Sequence, residues 1–246
     1  MKLVVAAFAV LALLVVPAGA QAAPCRGEPV VLVHGTFGDS TNWGYVRPQL
    51  EGLGYCTFAI DYGNRGTGDI PTSAKQLAAF VDAVLAQTGA QKVDIVGHSQ
   101  GGMMPRYFIK NLGGADKVDD LIGLAPSNHG TTTPLAGASD ERLCAACRQQ
   151  AAGSDFLTAL NAGDESPGAV SYTQVETRYD EVVTPYTSAF LAADANVTNV
   201  LLQDACPHDA SEHVGIVTDQ VAVQWIEDAL ARTGPADPSW RPRCVV

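Results

Sequence analysis

The hexapeptide Gly97-His98-Ser99-Gln100-Gly101-Gly102 directly follows an apolar, β-branched run, Val93-Asp94-Ile95-Val96, and directly precedes a segment of helical character. A serine between glycines at such a junction implies a turn so sharp that flanking Cβ atoms would collide with nearby backbone. This is G-x-S-x-G in the strand–turn–helix setting that lifts a serine hydroxyl clear of the carboxyl end of a sheet. The motif therefore calls for a strand before it and a helix after it.

The rest of the chain supplies that setting. Apolar runs at 30–33, 55–60, 92–96, 118–125, 169–177 and 197–202 read as strands bounded by Gly, Asp and Pro punctuation. Between Pro71 and Gly89, the residues Leu77, Phe80, Val81, Val84 and Leu85 fall on one helical face. Thr72 or Ser73 is available there as N-cap and Gly89 as the stop. A helix over 100–112 follows the motif. The last helix, 219–231, carries Ala222, Trp225, Ile226, Ala229 and Leu230 on one face and ends at Gly234-Pro235. The alternation predicts an α/β fold with a mostly parallel sheet of about six strands and helices on both faces. Residues 130–168, rich in Thr, Ala, Gly and Ser, offer only one helical pattern, at 154–160. The stretch is too long for an ordinary connection and reads as a lid or cap inserted in one domain spanning 24–246.

The amino end stands apart from this domain. Lys2 is followed by an unbroken apolar stretch over 3–16, then Pro17 and small residues through Ala23. It is shorter than the roughly 20 residues a spanning helix needs, and residues 1–23 read as a secretory signal peptide cleaved after Ala20, Ala22 or Ala23. The working protein is expected to be extracellular, without stable membrane insertion. Export decides how the six cysteines are read, because an even number in an oxidising compartment implies disulfides. Proximity pairs Cys25 with Cys56 and Cys206 with Cys244, leaving Cys144 and Cys147 for a small structural bridge. No βαβ unit frames this CxxC as a redox motif, and no second CxxC or HExxH completes a metal site. Net charge is −11, from 15 basic against 26 acidic side chains, and no basic run offers a footprint for nucleic acid.

A serine hydroxyl attacks only when a base removes its proton, so a histidine oriented by an acid should follow Ser99 in the chain. His213, in Glu212-His213-Val214-Gly215 between the last strand and last helix, is favoured over His208, which reads as a surface residue. Asp180, after the strand ending near Thr177, is the expected acid. Its neighbour Glu181 is expected to point elsewhere, and the competing Asp204 and Asp209 sit in the histidine loop itself. Backbone N–H groups of Thr36, after the strand ending His34-Gly35, and of Gln100, opening the helix, would form an oxyanion hole. His34 is read as a brace for that turn, His98 as packing in the serine turn, and His129 as lying outside the order of the triad.

The segments Val33 to Gly38, Gly97 to Gly102, Leu124 to Thr131, Tyr179 to Pro185 and Glu212 to Gly215 together resemble the secreted bacterial class 2 lipases of the α/β-hydrolase superfamily. The resemblance implies a triacylglycerol lipase or esterase that needs no organic cofactor, with Ser99 as nucleophile, Asp180 as acid, His213 as base, and Thr36 and Gln100 as oxyanion amides. The expected substrate is an ester or lipid, met at an oil–water interface, and the expected state is monomeric. Phe37, Trp43, Met103 and Leu135 neighbour the motifs and are named as lining for an acyl groove. An acyltransferase or a polyester depolymerase would use the same triad, and a binding module without catalysis would use the same fold.

Overall fold

Runs such as Val-Val-Leu-Val at Val30–Val33, apolar at every position, can be stable only as strands covered on both faces, and the protein builds its sheet from them. The computed structural model describes residues 25–133, 140 and 142–244. The expected signal peptide and Leu135 lie outside these residues. Six strands form one sheet: β1 Val30–Val33, β2 Thr57–Ile60, β3 Val93–His98, β4 Val118–Leu124, β5 Ser171–Glu176 and β6 Val197–Leu201. The spatial order is β2-β1-β3-β4-β5-β6, and every pairing is parallel. Order reverses beside β1, so a crevice opens at the carboxyl ends of β1 and β3.

Among the described residues, the α-helices longer than one turn are α1 Val46–Gly52, α2 Ile70–Thr88, α3 Gln100–Asn111, α4 Ala145–Gln149, α5 Asp155–Asn161 and α6 Gln220–Leu230. Strand alternation sorts the core into two layers. Val31, Val33 and Ile95 pack with Leu77, Val81 and Val84 of α2 and with Met103, Met104 and Phe108 of α3. Val30, Leu32 and Val96 face the other way, toward Val46 and Leu50 of α1 and Val221, Trp225 and Ile226 of α6.

Strand and helix boundaries fall within a few residues of the sequence expectations, with two instructive differences. The cap of α2 is Asp69, whose carboxylate accepts from Thr72 N–H, instead of Thr72 or Ser73. An aspartate one position before Ile70-Pro71 offers the stronger acceptor and lets Pro71 occupy the first turn, where its missing N–H costs nothing. In the 130–168 stretch, α5 matches the helical pattern seen in sequence, but α4 does not announce itself. It is a helix of five residues opened by Cys144, too short to show a periodic face. The cysteines pair as proximity suggests, Cys25 with Cys56, Cys144 with Cys147, and Cys206 with Cys244. The last of these ties the carboxyl-terminal tail to the turn after β6.

Candidate active site

The turn between β3 and α3 is held by sterics that only glycine satisfies. A Cβ on Gly97 would lie 1.8 Å from the carbonyl oxygen of Gly101, and one on Gly101 would lie 2.1 Å from that of Val33. Ser99 itself carries φ 55° and ψ −121°, a left-handed conformation that L-residues avoid unless their surroundings impose it. Its N–H is fixed by the Leu124 carbonyl of β4 at 2.9 Å. Local strain here buys placement: the side chain stands at the amino end of α3, at the mouth of the crevice.

Across the cleft, the loop after β6 delivers His213 and the loop after β5 delivers Asp180. His213 Nδ1–H donates to Asp180 Oδ2 at 2.7 Å, and both side chains are shielded from solvent. The other oxygen, Asp180 Oδ1, accepts the N–H groups of Val182 and Val183 at 2.8 and 2.7 Å. Four lone-pair sites on an ionised carboxylate make this arrangement possible and fix its orientation. His98 holds the base from below. Its Nε2–H donates to the His213 carbonyl at 2.9 Å, and the two rings lie 4.9 Å apart. Burial, followed by the nearby His213, pushes His98 down to about 3, so its ring is neutral, with Nε2–H the donor and Nδ1 unprotonated. Ser99, His213 and Asp180 are thus brought to one site, whereas His208 is exposed and His129 pairs with Glu165 away from it.

The loop after β1 forms the opposite wall. His34 stacks on Tyr62 at 4.3 Å and donates through Nδ1 to the Gly35 carbonyl at 2.8 Å, bracing the turn. Burial lowers the His34 pKa, consistent with a neutral ring whose Nε2 accepts from Tyr62 N–H. Phe37, at φ 64°, donates its N–H to Arg65 O at 2.7 Å. Between them, Thr36 is wired through its side chain. Thr36 Oγ1 accepts from Gln100 Nε2 at 2.7 Å and from Gln150 Nε2 at 2.9 Å. The amide orientations are fixed, because the same nitrogens reach the acceptor-only carbonyls of Gly66 and Ala146. A hydroxyl has two acceptor sites and one proton, so with both sites filled the Thr36 proton is free to be donated into the cleft. Gln100 N–H stands at the first position of α3, where no intrahelical acceptor exists.

These groups line a cleft of about 410 Å³ that includes Thr36, Phe37, Ser99, Gln150, Glu181, Val182, His213 and Val214. Phe37 lines this cleft. Trp43 and Met103 are not: both are fully buried, Trp43 in the layer with α1 and α6, Met103 in the layer with α2. Each is near a motif in sequence, but a large apolar side chain gains most by complete enclosure, and both turn into the core. Glu181 does not point away either. Its carboxylate accepts His213 N–H at 3.3 Å and borders the cleft. Gln150, the residue that caps the end of α4, belongs to none of the motif segments and is a functional neighbour that the sequence reading does not name. Its only sequence signal is a polar residue next to the Cys144-Cys147 pair.

Residues 27–226 match the family model of class 2 lipases. Among relatives, the triacylglycerol lipase of Pseudarthrobacter phenanthrenivorans is 37% identical over 86 residues, 32% of this chain and 27% of that protein. Lipase B of Pseudozyma antarctica is 28% identical over 220 residues, 84% of this chain and 62% of that protein. The chain thus spans between about a quarter and three-fifths of these relatives' own lengths. Among solved structures, Aspergillus fumigatus lipase B superposes with a TM-score of 0.77 at 24% identity, covering 87% of this chain and 54% of that one. Mature Bacillus licheniformis lipase BlEst2 gives 0.69 at 19% identity, covering 85% and 94%. At such identities these structures speak to the fold, which is that of the α/β-hydrolases, while the family match covers most of the sequence. The chain belongs to the class 2 lipase family.

Proposed function

We propose that this protein is an exported serine ester hydrolase, a lipase or esterase that works through an acyl-enzyme on Ser99. The observation that carries this reading is the buried 2.7 Å His213–Asp180 pair sharing one cleft with a serine on a strained glycine turn. In the first half-reaction, Ser99 Oγ attacks the ester carbonyl carbon while His213 Nε2 takes the hydroxyl proton. Asp180 holds the imidazole by its Nδ1–H and stabilises the imidazolium. Negative charge gathers on the former carbonyl oxygen, met by the N–H groups of Thr36 and Gln100 and by the free Thr36 hydroxyl proton. His213 then protonates the departing alkoxide, leaving the acyl group on Ser99. In the second half, water gives its proton to His213 as it attacks the acyl carbon; the bond from that carbon to Ser99 Oγ then breaks, His213 returns the proton to Oγ, and the carboxylic acid leaves.

Phe37, Val182 and Val214 are exposed apolar side chains at the rim of the cleft, which suits an acyl chain or a lipid surface. The three disulfides and the amino-terminal pattern of Lys2 and apolar residues support export. No helix among the described residues is long and apolar enough to cross a membrane. The test is hydrolysis of p-nitrophenyl esters from butyrate to palmitate, with a tributyrin emulsion beside them, by wild type and Ser99→Ala. The reading requires activity in the wild type and its loss in the variant; a folded wild type inactive on all of them would refute it.

A further inference from the structure

Glu176, the last residue of β5, is fully buried four positions before Asp180. One oxygen, Oε1, accepts Thr177 N–H at 2.7 Å. The other, Oε2, has no N–H or O–H donor among the described residues, and the Asp180 N–H, bonded to the Thr177 carbonyl at 3.2 Å, turns the chain so that Asp180 lies just beyond the strand end. Two ionised carboxylates at one buried strand end, one with a bare oxygen, would be an arrangement without compensation. A carboxylic acid donating to a carboxylate satisfies both groups with no other change. Asp180 is equipped to be the ionised partner, since Val182 N–H, Val183 N–H and His213 Nδ1–H all donate to it, whereas Glu176 has a single N–H donor.

We propose that Glu176 is a positioning residue of the catalytic base: its carboxyl stays protonated and its O–H donates to Asp180, giving a chain Glu176–Asp180–His213. The inference rests on the catalytic reading of Asp180 and His213 and extends it by one residue. Desolvation first, then the charge of Asp180, pushes Glu176 up to about 10, in keeping with its full burial and bare oxygen. Among the described residues, no cation is paired with Glu176. His98 and Glu181 bear on His213, Leu201 faces Glu176 in register from β6, and Arg178 turns outward toward Asp204 at 3.8 Å. The neighbouring Gln203 amide is engaged with Thr177 Oγ1 and Arg178 N–H.

The consequence has a sign. A proton shared toward Asp180 draws negative charge off that carboxylate and weakens its hold on the His213 proton, so the base is freed at lower pH. Removing the donor raises the acid limb of the kcat/KM profile; removing a charge, were Glu176 ionised, would lower it. The experiment compares wild type, Glu176→Gln and Glu176→Leu. Infrared spectra are taken at pH 9, above the values of about 7 and about 8 to which burial raises Asp94 and Asp120. The wild type should show the carbonyl stretch of a protonated carboxylic acid, absent from Glu176→Gln. The acid limb should stay in place in Glu176→Gln, which keeps a neutral donor, and rise by about half a pH unit in Glu176→Leu. Absence of the band in the wild type, or a downward move of the limb in Glu176→Gln, overturns the inference. Should Glu176→Leu fail to fold, the infrared comparison and the Glu176→Gln profile still decide it. Ester hydrolysis surviving in Ser99→Ala would instead overturn the catalytic reading on which it rests.

Discussion

Replacing Thr36 with valine keeps the backbone N–H and nearly the whole shape of the side chain while deleting one oxygen. Two effects separate cleanly. In the folded protein, Gln100 Nε2 and Gln150 Nε2 lose a shared acceptor at 2.7 and 2.9 Å but retain the Gly66 and Ala146 carbonyls. The stability cost is therefore at the low end for orphaned buried donors, about 1–2 kcal/mol. In the transition state, the oxyanion loses one of three donors, and deletions of this kind cost about 10² to 10³ in kcat. The hydroxyl meets charge only as the tetrahedral intermediate forms, so KM should barely move. Thr36→Ser should restore most of the rate. Gln150→Glu gives a sharper variant, because its carboxylate would accept the Thr36 proton and turn it away from the cleft. Steady-state kinetics on p-nitrophenyl butyrate, with thermal denaturation alongside, checks both numbers. If Thr36→Val keeps kcat within about threefold of wild type while folded, the hydroxyl is no part of the oxyanion hole.

Other perturbations follow from the same structure. Gly97→Ala places a methyl 1.8 Å from the Gly101 carbonyl oxygen, so the turn must open, and soluble expression or Tm should fall by an amount above about 4 kcal/mol in equivalent stability. Asp94 and Asp120 sit together under the sheet, Asp94 Oδ1 accepting Asp120 N–H, and burial raises them to about 7 and about 8. Their folded values lie above the unfolded ones, so the pair costs nothing below about pH 4, and stability falls as pH rises from there until it levels off above the folded values of about 7 and about 8. Asp94→Asn should then raise Tm by roughly 5 °C at pH 9 and leave it unchanged at pH 4; an equal shift at both would contradict the assignment. Removing Cys206 and Cys244 together opens a separation of 38 residues, against 3 for Cys144 and Cys147. The first double alanine variant should lose about 4 kcal/mol and the second about half that, as read by urea denaturation.

How far the sequence carries depends on the reach of each constraint. Val30–Val33, the glycine turn and the amphipathic face of α2 are local, and their residues state their own structure. Asp180 and His213 are legible because the order nucleophile, acid, base is fixed by the order of strands, although their contact spans 33 positions. Trp43 and Met103 mislead because sequence neighbourhood does not say which side of a helix or turn faces the cleft. Gln150 and Glu176 are silent for a different reason. A glutamine accepted by a threonine hydroxyl and a glutamic acid that keeps its proton acquire their roles only from residues that folding brings to them. Glu176 even reads wrongly in isolation, as a charged residue ending a strand, where burial leaves it neutral.

The most direct test of the account is stoichiometric labelling with diethyl p-nitrophenyl phosphate, followed by intact-mass and peptide analysis of wild type and His213→Ala. The account predicts one equivalent of p-nitrophenol released, one diethylphosphoryl group on Ser99, complete loss of ester hydrolysis in the wild type, and labelling slowed by orders of magnitude in His213→Ala. Labelling at another residue, or full ester hydrolysis after Ser99 is blocked, would contradict it.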